Sequence, residues 1–275
     1  MCDFCHKHGE GKKWYLEAKN YSDDLFNDLS MKAVKDLFGD IEALRKGLKN
    51  MEKLDKLPRL IRDAMTWNMT RKMKKVHFGQ IVPIEDIEQI FGLVNSIVRV
   101  ACICRYAYLG KEHRYCYGIS MNAGESAFSK ALKELSSKFF DGPNTNGFET
   151  KTKEEALAEF KEYEREGLCH SVWTFGTPFI AGLCNCDRTE CGALQSTLIY
   201  NLQMVFKAEY FAQVDWDTCN GCRNCMRVCQ FGAFGYSASN KKVSIDPHRC
   251  YGCGSCRSVC TKHSITLLGR VGAGH

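Results

Sequence analysis

A four-cysteine run that occurs twice constrains this chain more than any other feature. Cys219, Cys222, Cys225 and Cys229 spell C-x2-C-x2-C-x3-C, and Cys250, Cys253, Cys256 and Cys260 spell it again at a constant offset of 31 residues. The register extends outward, with Asp215 matching Asp246 and Ala233-Phe234 matching Ser264-Ile265. Three cysteines spaced by two residues can wrap one tight loop around three corners of an iron-sulfur cube, and the fourth corner is filled from elsewhere. Gly221 and Gly252 stand between the first two cysteines of each loop, where a missing Cβ lets the backbone bend close to inorganic sulfide. Structural zinc also takes four cysteines, but typically from separated C-x2-C pairs.

Over residues 213–270 the chain resembles the two-cluster bacterial ferredoxin domain, on all eight of these cysteines. In that family the last cysteine of each run ligates the other run's cluster. The resemblance therefore implies one [4Fe-4S] cluster on Cys219, Cys222, Cys225 and Cys260, and a second on Cys250, Cys253, Cys256 and Cys229. The chain departs from the family where a proline usually follows each run, with Gln230 and Thr261 in its place. That proline shapes a turn and binds no iron.

Nine of the 17 cysteines lie outside the two runs. Cys102 and Cys104, with Cys116 beyond them, mirror Cys184 and Cys186 with Cys191. Each set offers two close thiols and one more distant, so these six are candidate ligands of an additional cluster. Iron-sulfur is favoured over zinc there because it would extend an electron path. Cys169 falls inside an expected strand, where a small buried residue suffices. Cys2 and Cys5, with His6 or His8 nearby, are a further candidate metal site. They also spell C-x-x-C-H, but haem attachment needs export, and the polar stretch after Met1 offers no apolar signal segment.

From Val100 to Leu268 the sequence also resembles a family of anaerobe iron-sulfur proteins. The residues that carry this are Cys102-Ile103-Cys104-Arg105, Gly167-Leu168-Cys169-His170 and Leu183-Cys184-Asn185-Cys186, ahead of the ferredoxin stretch. The resemblance implies one or two additional clusters and an anaerobic setting; it implies no particular reaction. Other members are richer in cysteine where Asp187 to Glu190 stand here.

The net charge of +6 is unevenly spread. Residues 45–75 hold eleven Lys or Arg against Glu52, Asp55 and Asp63; these read as solvated helix faces or as a dock for an acidic partner. The ferredoxin stretch is basic too, which suits clusters built into a larger protein better than a freely diffusing carrier. No apolar run reaches the ~18 residues needed to span a membrane, and so many thiols fit a reducing cytoplasm.

Apolar spacing places helices over residues 23–75, broken at Pro58, and one helix from Pro83 through Ala101. Further helices are expected over 125–140, over 153–166 with Thr152 and Glu155 as a capping box, and over 193–206. Strands at 168–175 and 179–183 follow the 153–166 helix in a winged-helix outline. The expectation is an α+β chain: a mainly helical domain over 1–209, winged-helix-like at about 125–192, then a two-cluster ferredoxin-like domain over 210–275. Its expected function is relay of single electrons, as a subunit or dedicated redox partner of an anaerobic oxidoreductase. Substrate chemistry at an incompletely ligated cluster is the alternative; no dinucleotide motif, P-loop or clear acid/base pair supports other cofactors. A redox-sensing regulator is a third reading. Nucleic acid is an unfavoured partner, because the 153–166 helix carries six Glu against Lys153, Lys161 and Arg165, the wrong sign for DNA.

Overall fold

The computed structural model describes residues 13–124, 126–136 and 148–270. At its centre lies the hairpin of β5 (Cys169–Thr174) and β6 (Ile180–Cys186), buried along nearly its whole length. Strands covered on both faces carry few polar positions, so they read as apolar runs and not as alternation. Around the hairpin stand β1 (Gly79–Ile81), β2 (Ser96–Val100), β3 (Cys116–Ser120), β4 (Glu149–Thr150) and β7 (Val205–Phe206). Together they form one seven-stranded sheet in the order β4-β2-β3-β6-β5-β1-β7. Only β1 and β7 pair in parallel; the other neighbours are antiparallel.

Each face has its own helical layer. On one, Ile97, Tyr117, Ile119, Val172 and Leu183 pack against α4 (Ile84–Leu93) and α7 (Lys153–Glu166), through Ile87, Ile90, Phe91 and Phe160. Trp14 and Tyr15 close that layer, Trp14 donating to Gln80 Oε1 at 2.5 Å and Tyr15 to Asp86 Oδ2 at 2.6 Å. The opposite face carries Ile81, Val100, Trp173, Cys169 and Cys186 and meets α1 (Asp28–Phe38) and α6 (Ala127–Ser136). It is also covered by α2 (Ile41–Met51), α3 (Arg59–Val76), α5 (Ile103–Leu109) and α8 (Gly192–Leu198).

The chain is α+β, but three expectations need correction. The winged-helix outline fails: the hairpin is the middle of a seven-stranded sheet whose other strands come from both upstream and downstream of it, and the helices of this mainly helical stretch flank that sheet. The helix from Pro83 stops at Leu93, where Val94 turns extended, and β-branched Ile97, Val98 and Val100 enter β2. The helix expected over 193–206 ends at Leu198, leaving Val205 and Phe206 to pair with β1. The capping box at Thr152 and Glu155 is present, and Gly167 at φ 94° ends that helix. The helix expected over 125–140 is seen from Ala127 to Ser136; its remainder, like Cys2, Cys5, His6 and His8, lies outside the described residues. Among the described residues no helix is long and apolar enough to cross a membrane.

The C-terminal stretch has its own small sheets. β8 (Tyr210–Val214) pairs with β11 (Ile265–Gly269), and β9 (Phe234–Ser237) with β10 (Lys242–Ile245). Short helices α9 (Asn224–Val228) and α10 (Ser255–Ser258) follow the cysteine loops. Polar clasps fasten this stretch to the large sheet. Gln230 Nε2 donates to Gly167 O at 2.7 Å, Ser255 Oγ to Leu168 O at 3.0 Å, and Tyr210 to Asp86 Oδ1 at 3.0 Å. Gln230 Oε1 also accepts from Arg188 N at 3.1 Å. A proline at 230 could make neither bond.

Candidate metal centres

All fifteen described cysteines are free thiols, and they gather in three places. In the first, Cys219, Cys222, Cys225 and Cys260 line one small hollow with Val214, Val243 and Ile265. Gly221 there has φ +69°, and a Cβ on it would stand 2.0 Å from Lys241 O. Only glycine fits. Burial pushes the Cys225 thiol up to about 11, and charge on Cys222 and Cys260 adds to that.

In the second, Cys250, Cys253, Cys256 and Cys229 surround one another. Gly252 repeats the constraint at φ +74°, with its would-be Cβ 2.2 Å from Tyr210 O. Burial raises Cys256 well above the ordinary thiol value, reinforced by Cys253, Cys250 and Cys229. Cys253 is pushed up to about 12, again chiefly by burial. Thiols held protonated by burial and by each other suit a cationic core, whose charge inverts that balance on binding. N–H groups already point at sulfur: Ala212 N and Gly252 N lie 3.4 Å from Cys250 Sγ, and Ser264 N 3.4 Å from Cys260 Sγ.

The third place is a face of the large sheet, and pairing register explains it. Side chains alternate along a strand, so Cys184 and Cys186 project from β6 on the same side. Residues directly opposite in an antiparallel pair share a face as well. Cys116 pairs with Cys184, and Cys169 with Cys186, which sets four thiols on one side from three adjacent strands. Cys102 and Cys191 stand over them as the N-cap residues of α5 and α8, with Cys104 in the first turn of α5. The sulfurs touch: Cys102 to Cys116 at 3.3 Å, Cys116 to Cys184 at 3.2 Å, Cys186 to Cys191 at 3.3 Å. Cys169 is fully buried, its thiol donating to Cys186 O at 3.2 Å. The six cysteines singled out in the sequence are thus brought together, and Cys169 joins their face.

Electrostatics divide this group. The Cys191 thiol is drawn down to about 7, because Cys186 hydrogen-bonds to it and the Leu194 and Ala193 N–H groups at the start of α8 point at it, against burial. Cys104 is pushed up to about 12 by burial and by charge on Cys191 and Cys102. Arg105 supplies the counter-charge. Burial opposes its ionisation, but Cys102, Cys186 and Asp187 outweigh that and hold it charged. Its Nη1 lies 3.6 Å from Cys102 Sγ and donates to Asn185 O at 3.2 Å, while Asp187 and Glu190 take the rest of the guanidinium. The Tyr115 ring covers it at 4.6 Å.

Two further motif residues lie away from the sulfurs. His170 and Asn185 are cross-strand partners on the opposite face, His170 Nδ1 meeting Asn185 Oδ1 at 2.6 Å. Asn185 Nδ2 donates onward to Tyr115 O at 3.0 Å. Among the described residues no group of three or more His, Cys, Asp or Glu side chains is arranged to hold a single metal ion.

The second and third places adjoin. Burial raises the Cys169 thiol and charge on Cys253 adds to it, and Cys229 and Cys253 pack on the same apolar core as Cys169 and Cys186. Sequence reasoning missed the Arg105, Asp187 and Glu190 network, although Arg105 sits beside Cys104 in the C-x-C-R segment. It also set Cys169 aside, for want of the pairing register that places it.

Among curated proteins, none matches this chain. The family model for a 4Fe-4S dicluster domain matches residues 218–264, a span that holds all eight cysteines of the two runs, so this stretch is a ferredoxin-like 4Fe-4S domain.

Proposed function

We propose that the chain relays single electrons through two [4Fe-4S] clusters in the C-terminal stretch and at least one further iron-sulfur cluster on the large sheet. Cys219, Cys222, Cys225 and Cys260 hold the first in this reading, and Cys250, Cys253, Cys256 and Cys229 the second. The third uses ligands from Cys102, Cys104, Cys116, Cys184, Cys186 and Cys191. When bound, such clusters supply one-electron redox chemistry whose potential follows charge, burial and hydrogen bonds to sulfur. The observation that carries the reading is continuity: the third thiol group touches the core that holds Cys229 and Cys253.

The protein's own residues set the two ends apart. Cys222 is exposed, with Arg223 beside it, so a redox partner reaching the first cluster meets basic side chains. The sheet-face thiols are mostly enclosed, and Arg105 offsets their charge. A second contact for an acidic partner is α3, which exposes Leu60, Ile61, Met65 and Trp67 among the basic residues of 45–75, with the Arg71 guanidinium 5.7 Å over Trp67. The protein then works as a subunit or dedicated partner of an oxidoreductase in a reducing, anaerobic cytoplasm.

Iron and acid-labile sulfide counted per chain after anaerobic purification test this. About twelve of each supports three cubanes and about sixteen supports four, whereas about eight confines the relay to the C-terminal stretch. Zinc in place of iron would sink it. A second reading, an oxidoreductase that meets its substrate at the sheet-face thiols, is favoured by the cavity that opens beside them.

A further inference from the structure

α2 is an amphipathic helix with no buried residue. Its apolar stripe, Leu44, Leu48 and Met51, is left half-exposed because it faces a cavity of about 750 Å³ and not a filled core. The cavity lies between α1, α2 and α3 and the sheet face, with Met73, Phe128 and Trp173 on its other walls and the six thiols at one end. Its volume falls in the range of small-molecule sites. Along the sheet wall the thiols give way to Trp173. Trp173 pairs with Gly182, two residues along β6 from Cys184, a step of roughly 7 Å.

At the Trp173 end His77 lines the cavity and stacks on Trp173, ring centroids 4.8 Å apart. Its Nδ1 lies 2.7 Å from Thr174 O. A carbonyl oxygen only accepts, so Nδ1 carries the proton and Nε2 keeps its lone pair. Burial depresses the imidazole to about 4, which keeps it neutral at neutral pH. This end of the site offers an aromatic face and one neutral hydrogen-bond acceptor between mainly apolar walls; of the charged lining residues, Lys35, Asp36, Asp40 and Lys72 are exposed and Arg105 is held by Asp187 and Glu190. A charged ligand would be costly to desolvate against the apolar walls.

We propose that this cavity binds an uncharged aromatic molecule, of about two fused rings, that carries a hydroxyl or N–H group and donates it to His77 Nε2. The inference deepens the second reading above by naming a ligand class, and it does not depend on a third cluster being present.

The test titrates 2-naphthol and naphthalene into anaerobically prepared, cluster-loaded protein, following ligand fluorescence. 2-Naphthol is expected to saturate and to bind about fivefold tighter than naphthalene, the worth of one hydrogen bond. His77→Phe should remove that margin and leave naphthalene unchanged. Gly47→Phe should weaken both by roughly tenfold. Gly47 is exposed on the cavity rim with nothing within 4 Å of its would-be Cβ, and any ordinary residue suits a helix better than glycine, so this variant folds. Non-saturable uptake, or saturation indifferent to Gly47→Phe, overturns the site. Decanoate binding where 2-naphthol does not overturns the ligand class. Saturable, Gly47-sensitive binding of 2-naphthol by protein with about eight irons per chain keeps the inference while removing the third cluster.

Discussion

The C-terminal thiols and the sheet-face thiols are assembled in opposite ways. Six of the eight C-terminal cysteines sit in two tight loops, each turned by a glycine at positive φ between its first two cysteines, with Gly254 a second one in the later loop, and each closed by a one-turn helix. The sheet-face thiols come from β3, β6, the starts of α5 and α8 and, with Cys169, from β5. Cys184, Cys186 and Cys191 fall within eight residues, but Cys116, whose sulfur meets that of Cys184, stands 68 residues upstream, and Cys102 and Cys104 further still. A local site is a property of its loop; a distributed one exists only when the whole sheet is paired.

The sharpest way to break this comparison is to remove one thiol from each region. Cys184→Ala takes out the sulfur in contact with Cys116 and should lower iron by about four per chain while the C-terminal clusters keep their spectra. Unchanged iron would mean that the sheet face holds no cluster. Next in size is a core change that spares every thiol. Phe160 is fully buried on the opposite face, and Phe160→Ala should cost about 3–5 kcal/mol in chemical denaturation. On a distributed site that loss carries third-cluster iron with it; retention of all iron in a destabilised protein would show the site to be local after all. Gly252→Ala should cost about 1–3 kcal/mol from backbone strain alone, with more from the clash at Tyr210 O, and should release second-cluster iron first.

The seam between the regions has a pH signature. Glu164 is raised from 4.5 to about 7, chiefly by burial, with Glu85 adding to it and Arg257 opposing; its Oε1 has no hydrogen-bond partner in the structure. Between those values the folded state holds a proton that the unfolded state has released, so stability falls as pH rises from 4.5 to about 7. Glu164→Gln should flatten that fall in denaturation midpoints; an unaltered slope would count against it. The smallest effect is expected at Gly47, where Gly47→Ala should stabilise α2 by about 0.5–1 kcal/mol without changing iron content.

The same contrast governs what could be read in advance. The 4Fe-4S character of the C-terminal stretch is legible because its ligands are neighbours in sequence. The hairpin strands at 169–186 are legible as strands, being short apolar runs bounded by Gly167 and Gly176-Thr177-Pro178. Their place in a seven-stranded sheet is not, because β1 has three residues, β4 and β7 have two each, and none carries a periodicity of its own. β2 was hidden for another reason. Val94, Val98 and Ala101 continue the three-and-four spacing of α4 across a break marked by nothing stronger than Gly92, which is itself still inside the helix. The face shared by Cys116, Cys169, Cys184 and Cys186 is a fact of pairing, which no single segment contains.

The pairing of Cys116 with Cys184 has one more consequence. Slipping β6 by a single residue against its neighbours would turn both of its cysteines toward the layer that holds Phe160 and bring Asn185 round among the sulfurs. With the proposed third cluster, iron loading would proofread strand alignment: a misaligned chain could not be metallated there, and a metallated chain would be locked against sliding.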